Sequence, residues 1–316
     1  MLHISKAGCA CFAVVALSLV GPAAAPALAS DPWADRVISF NAGAGGSDGY
    51  NLASSSLGSP TRFTGVSFGF PSAVTPFSPP FEPTDIVSLG VGGQITVAFD
   101  EPVTDDAANP FGLDLLIFGN SFYYDADWPN GRVGGFAGEG GVIEVSADGQ
   151  AWHTIPLLAA DAGFPTLGYL DLGTPYSDTP GAIESDFTRP VDPSFDANGK
   201  TFAEIVAAYR GAGGGLGVDV SSVGLDSISF VRVSNPDGLG GTPEIDAFVD
   251  VSPIPAPGAI PLLAFGFLGA SRWPASRRRA RCVWVARLSE AGVSQTAGLS
   301  SARRAIDICV SSGARP

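Results

Sequence analysis

Glycine and proline interrupt this chain at short intervals: there are 41 Gly and 26 Pro in 316 residues, about a fifth of the sequence. Glycine raises the entropic cost of a regular helix, and proline removes an amide donor and clashes with the preceding turn. A large helical domain or a long coiled coil is therefore excluded, and the charged fraction of 15 %, against an average near ~25 %, points the same way. Gly and Pro together stay below the ~25–30 % of low-complexity disorder. The 45 % of hydrophobic residues can fill one core of about 200 residues or two smaller ones. The expectation is short strands closed by turns, in a sandwich or barrel.

Nine short runs rich in β-branched and aromatic residues fit that expectation: Arg36–Phe40, Asp85–Leu89, Gln94–Phe99, Leu113–Phe118, Val142–Ala147, Trp152–Ile155, Leu167–Leu172, Ser227–Ser234 and Ile245–Val251. In QITVAF, Ile95, Val97 and Phe99 alternate onto one face. In SISFVRV, Ile228 and Phe230, extended by Arg232, oppose Val231 and Val233. Asp148-Gly149 between two such runs is a hairpin signal. One helix is predicted over Thr201–Arg210 (TFAEIVAAYR), with Phe202, Ile205, Val206 and Tyr209 on one side and Gly211 stopping it. Gly213-Gly214-Gly215 reads as a flexible turn. The stretches Asn41–Pro83 and Phe122–Gly141 carry no strand pattern and read as long ordered loops. The fold class expected is all-β: an antiparallel β-sandwich (jelly roll) with long ordered loops and one short helix.

Charge is distributed unevenly. Residues 30–252 hold 29 of the 31 acidic side chains and only seven basic ones, Arg36, Arg62, Arg132, Arg189, Lys200, Arg210 and Arg232, while nine Arg follow Pro253. So acidic a body repels phosphate backbones, which excludes nucleic acid as its partner and favours divalent cations. No cysteine lies between Cys11 and Cys282, so the body has no disulfide, thiolate metal site or cysteine nucleophile.

Both ends carry targeting patterns. Lys6, the apolar run Ala10–Val20 and Ala27-Leu28-Ala29 make a secretory signal peptide over 1–29, cleaved after Ala29. Near the other end, Pro253, Pro255 and Pro257 form an extended linker, Ala259–Ala270 is apolar, and Arg272, Arg277, Arg278, Arg279 and Arg281 follow. Twelve helical residues reach about 18 Å, short of a hydrocarbon core of ~30 Å, so a short buried helix is the plain alternative. The arginine cluster matches the cytoplasmic side of a membrane segment. This order of linker, apolar segment and arginines over 253–281 resembles the PEP-CTERM sorting signal of exported bacterial proteins. The resemblance implies a transient membrane anchor and processing by an exosortase after passage through the export machinery. Ala256 stands where that signal has Glu, and 35 residues (282–316) follow the arginines, of mixed polarity and uncertain status.

The blocks SLGVGGQITVAFDEPVTDD, NPFGLDLLIFGNSF, GGVIEVSADGQAWHTIPL and SSVGLDSISFVRVSNPDG…EIDAFVDV, in this order over most of Val37–Val251, resemble a family of exported bacterial cell-surface proteins. That resemblance implies a jelly roll like galactose-binding or discoidin domains, located at the cell envelope surface or secreted. It implies no biochemical activity.

Catalytic chemistry is poorly supplied. His3 falls in the signal peptide and His153 sits in the strand WHTI, which reads as a surface or half-buried position; there is no Gly-x-Ser-x-Gly elbow, His-Glu-x-x-His or phosphate loop. Gly43–Ser47 and Gly211–Gly217 lack the strand-to-helix setting of dinucleotide binding. With 29 acids, paired carboxylates arise by chance, so a glycosidase is not singled out. Calcium is the expected ion if one is bound: Asp105, Asp106 and Asn109, Asp125, Asp127 and Asn130, and Asp196 and Asn198 group oxygen ligands on loops. Placing Gly199 at EF-hand position six puts Ile205 where the bidentate Glu belongs, so that motif fails. In galactose-binding-like folds a structural calcium lies near the first and last strands, where the resemblance offers Glu244 and Asp246. The calcium candidates are thus Glu244, Asp246, Asp125 and Asp127, against the plain reading of solvated loop acids. For carbohydrate, FYYDADWPNG offers Tyr123, Tyr124 and Trp128 as an aromatic platform, against the reading of buried plugs beneath a loop. The function expected is an exported cell-surface or extracellular-matrix protein of structural or adhesive type, not an enzyme. The first alternative is a carbohydrate-binding surface module contacting extracellular polysaccharide, the second a secreted hydrolase.

Overall fold

β-branched and aromatic runs bounded by Gly, Pro and Asp become strands in the computed structural model, which describes residues 31–66, 69–237 and 240–252. In chain order these are β1 (Arg36–Asn41), β2 (Phe63–Thr64), β3 (Ser72–Ala73), β4 (Val87–Ser88), β5 (Gly93–Thr104), β6 (Leu115–Gly119), β7 (Phe122–Asp125), β8 (Val133–Ala137), β9 (Val142–Ser146), β10 (His153–Thr154), α1 (Phe202–Tyr209), β11 (Leu216–Val218), β12 (Ser227–Asn235) and β13 (Glu244–Asp250). One sheet has the order β1-β5-β12-β9-β10 and the other β11-β6-β13-β4, all pairs antiparallel. From β4 to β6, and again from β10 through β11 and β12 to β13, successive strands of the two large sheets change sheets. The fold is the expected antiparallel β-sandwich. The signal-peptide residues through Ala29, and Pro255, Pro257, Arg277, Arg278 and Arg279 of the sorting segment, lie outside the described residues. Among the described residues no helix is long and apolar enough to cross a membrane.

The core between the sheets takes Ile95, Val97, Phe99, Ile143, Val145, Val231 and Val233 from one and Val87, Leu115, Ile117, Ile245 and Phe248 from the other. β6 has no alternation because both its faces are covered. Leu115 and Ile117 point into the sandwich, while Leu116 and Phe118 join Ala247, Val249 and Phe187 on the outer face. A bulge rephases the pattern. In β12 the register shifts between Ile228 and Phe230, so Ile228 joins Val231 and Val233 inside instead of opposing them, a correction to strict alternation. Arg232 lies outside, its guanidinium 3.6 Å from the Trp152 ring centre and 3.5 Å from Glu144.

Loops provide a second layer. Helix α1 packs Phe202, Ile205 and Tyr209 against Phe77, Tyr123, Val133, Leu167 and Val191. Its capping box is complete: the Glu204 amide donates to Thr201 Oγ1 and the Thr201 amide to Glu204 Oε2, an arrangement favoured at helix starts. The helix ends at Arg210, whose φ is +51°, before Gly211 does so. Leu167–Leu172 is not a strand. Its backbone is used on neighbouring loops, Leu167 N–H to Gly213 O and Leu170 N–H to Ile183 O. Gly213-Gly214-Gly215 is buried, and a Cβ there would strike Phe187, the Pro165 carbonyl and Phe118 respectively. This is a tight crossing, where the sequence read a flexible turn. Phe122–Gly141 likewise is not all loop, since β7 and β8 pair within it.

Buried carboxylates hold these loops on. Asp114 accepts from the Val220 amide (3.0 Å) and Asn109 Nδ2 (2.9 Å). Asp246, wholly enclosed, accepts from the Thr61 amide (2.9 Å) and hydroxyl (3.0 Å). Burial pushes Asp246 up to about 8, against the pull of those two bonds, and burial followed by repulsion from Asp114 pushes Asp250 up to about 7. A native pKa above the unfolded value means that the folded state takes up protons the unfolded chain does not, so stability is lost as the pH rises. Unfolding temperatures measured from pH 5 to pH 8 are expected to fall with rising pH, and the slope to be shallower in Asp246→Asn; a flat or rising wild-type profile would contradict this assignment.

Candidate functional site

The hairpin β7–β8 stands beside the sandwich, and its strand alternation sends neighbouring side chains to different places. Tyr123 faces inward, packed at 6.0 Å from Phe77 and 5.9 Å from Phe136 between ring centres. Tyr124 faces out, 57 % exposed, at 5.3 Å edge-on to Phe122. Trp128, 69 % exposed, lies on Tyr176 at 4.3 Å. The three aromatic residues expected to form one platform are thus separated: Tyr123 is a core residue, Tyr124 lines a cleft and Trp128 sits on the turn.

That turn is organised by Asp125. One oxygen accepts from the amides of Asp127 (2.8 Å) and Arg132 (2.9 Å), and the other from the Gly131 amide (3.0 Å) and the Tyr176 hydroxyl (3.1 Å). Slight burial raises its pKa, but these bonds outweigh it and hold the carboxyl below the usual range. Four donors saturate a carboxylate, so Asp125 is a turn organiser. Asp127 contributes only its amide to this network.

Glu244 and Asp246 at β13 also part company. The register shift between Ile245 and Ala247 falls at Asp246, which is tied to Thr61, whereas Glu244 accepts from the Ser47 hydroxyl at 2.9 Å and from the Asn120 amide. Among the described residues no group of three or more His, Cys, Asp or Glu is arranged to hold a metal ion. The four calcium candidates are therefore not gathered into one ligand set.

What the structure does gather is a cleft of about 460 Å³ that sequence reasoning missed, lined by Asn120, Glu139 and Glu244 together with Phe122, Tyr124 and Phe136. Behind it lies Asp161, whose oxygens accept from the Ser121 amide and the Glu244 amide at 3.1 Å each. Gly119 at the end of β6 permits this, because any Cβ there would collide with the Asp161 carboxylate and the Glu244 carbonyl. The Glu139 segment is laid against Asp161, with the Glu139 amide donating to the Asp161 carbonyl (2.6 Å) and the Asp161 amide to the Gly140 carbonyl (3.1 Å). Burial raises all three acids. Asp161 goes well above the usual range with further repulsion from Glu139 and Glu244, and Glu139 is raised by burial and then by Glu244. The sequence signals were Glu139 alone in a glycine run (GGFAGEGG) and Asp161 alone among alanines (LLAADAGF).

His153 is half-buried on β10, opposite Val145, and does not line this cleft. The arrangement therefore offers hydrogen-bond acceptors, one amide and exposed ring faces. Set against known proteins, the chain matches no family model and shows no significant similarity to any curated sequence.

Asp125→Ala removes the acceptor for three turn amides and the Tyr176 hydroxyl. Hydrogen bonds of this kind contribute roughly 0.5–1.5 kcal/mol each, so a loss of about 2 kcal/mol is expected in denaturant titration, with faster proteolysis at residues 126–131. Unchanged stability and unchanged cleavage would show that the turn is held by something else.

Proposed function

We propose that this protein is an exported cell-surface protein of adhesive type whose sandwich presents a saccharide-binding cleft. The observation that carries the reading is the convergence of Glu139, Glu244 and Asn120 with the exposed rings of Tyr124 and Phe136 in one open cleft. Sugars present hydroxyl donors and an apolar C–H face together. A carboxylate pair beside an aromatic ring answers both, since the charged acceptors make the stronger hydrogen bonds and the ring covers apolar area. Polyhydroxylated neutral chains suit an acidic body better than anionic ones do. Glycoside hydrolysis, which needs only a carboxylate pair, is the second reading, favoured by Glu139 and Glu244 sharing this cleft with both raised by burial. Export and anchoring rest on the apolar run before Ala29 and the Pro255, Pro257 and Arg277–Arg279 sorting pattern.

The purified protein is expected to bind neutral glycans on an array, with Tyr124→Ala weakening the strongest hit about tenfold, the order of one ring–sugar contact, while its unfolding temperature stays put. An array without hits would overturn the saccharide reading. Separately, cell fractionation with intact-mass analysis is expected to find a product cleaved after Ala29 in the envelope or the medium; an uncleaved cytoplasmic chain would overturn the export reading.

A further inference from the structure

On the other side of Phe136 lies a second pocket, of about 490 Å³, and its chemistry differs from that of the carboxylate cleft. Its floor is glycine backbone, Gly135, Gly163, Gly215 and Gly217. A Cβ at Gly163 would strike Leu216, one at Gly215 the Phe118 ring and one at Gly217 the Leu113 side chain, so packing against these neighbours demands glycine at all three. Its walls are aromatic, with Tyr123, Phe136, Phe164 and Phe195 all contributing. The volume lies in the ~300–1,000 Å³ range of small-molecule sites, which are largely apolar with a few polar groups.

Two further features point to a ligand at this mouth. Among the described residues three non-glycine residues have positive φ, and two of them lead directly into the rim: Phe111 (φ +61°) precedes Leu113, and Leu157 (φ +64°) precedes Leu158. Both are exposed, Leu157 completely, so no local burial rewards the strained backbone, and such strain concentrates at ligand sites. The one ionisable carboxylate lining the pocket is the exposed Asp196, whose Oδ1 accepts from the Asn198 amide; no basic side chain lines it.

We propose that this pocket binds a planar aromatic small molecule carrying a cationic group, its ring held among Tyr123, Phe136, Phe164 and Phe195 and its charge beside Asp196. Ring faces attract cations as well as rings, and a body with 29 acidic against seven basic side chains disfavours an anion of the same shape. The site is independent of the saccharide cleft, since Phe136 alone is common to both linings.

Calorimetric titration of the purified protein with 1-naphthylmethylamine, 1-naphthylmethanol and 1-naphthylacetate tests this, because the ring is constant and the charge changes. The amine is expected to bind one-to-one, at least about fivefold tighter than the alcohol, with the acetate weakest. Ala162→Trp, which fills the mouth from an exposed lining position, is expected to weaken the amine about tenfold or more, while Ile38→Trp, at an exposed position on β1 away from the lining, leaves it unchanged. Asp196→Asn is expected to bring the amine and the alcohol together. Absence of saturable binding, equal binding of amine and acetate, or amine binding that survives Ala162→Trp as mere adsorption to an acidic surface would each overturn the proposal. None of these results bears on glycan binding, which Tyr124→Ala reads at the other cleft.

Discussion

The structure depends on buried carboxylates that tie loops to the sandwich in a body without disulfides. No cysteine lies between Cys11 and Cys282, yet the connections between strands are long and many are buried. A buried loop must find partners for its amides. Here Asp114, Asp161 and Asp246 supply them, each accepting at least one backbone amide from a segment far away in sequence: Val220 at Asp114, Ser121 and Glu244 at Asp161, and Thr61 at Asp246, with the nearby Asn109 side chain added at Asp114. Removing a carboxylate from water opposes folding, as their raised pKa values show, so these links hold geometry more than they add stability. Arg62 does the same with the opposite charge, stacked 3.9 Å from the Phe187 ring centre and donating to the Gly168 carbonyl and Ser185.

One of these links builds the carboxylate cleft. Asp161 draws the Glu139 segment and the start of β13 together, which places Glu139 and Glu244 on one opening, where burial raises both and Glu244 raises Glu139 further. The β7–β8 hairpin forms a shared wall: Tyr124 serves the cleft, Tyr123 lines the apolar pocket from the other side, and Phe136 borders both. Strand alternation in FYYD is thus what separates the polar cleft from the apolar pocket.

Much of the sandwich was legible in the sequence, because one-sided burial writes a period of two. Ile95, Val97 and Phe99 are the inner face of β5 as alternation requires, and TFAEIVAAYR holds the helix its apolar spacing indicates. The failures share a cause in tertiary context. Bulges at Ile228 and Asp246 break the period locally. β7 is a run of three aromatics without alternation, and β8 and β11 are short and interrupted by glycine, so none of them announces a strand. The triple glycine at 213–215 signals close approach as readily as flexibility, and only the positions of Phe187, Pro165 and Phe118 decide between them. The site was less legible still. Tyr124, Glu244 and the acidic character were visible, but Glu139 and Asp161 carry no motif, and a cleft made by three separated segments leaves no spacing to read.

The account rests on Asp161 and Asp246 holding loops through backbone amides, and amide hydrogen exchange reads this directly. Ser121 and Thr61 lie outside the strands, and their amides donate to Asp161 and Asp246. Slow exchange at both, comparable with the strands they touch, is the predicted result. Exchange at the rate of an exposed loop would contradict the role given to these carboxylates.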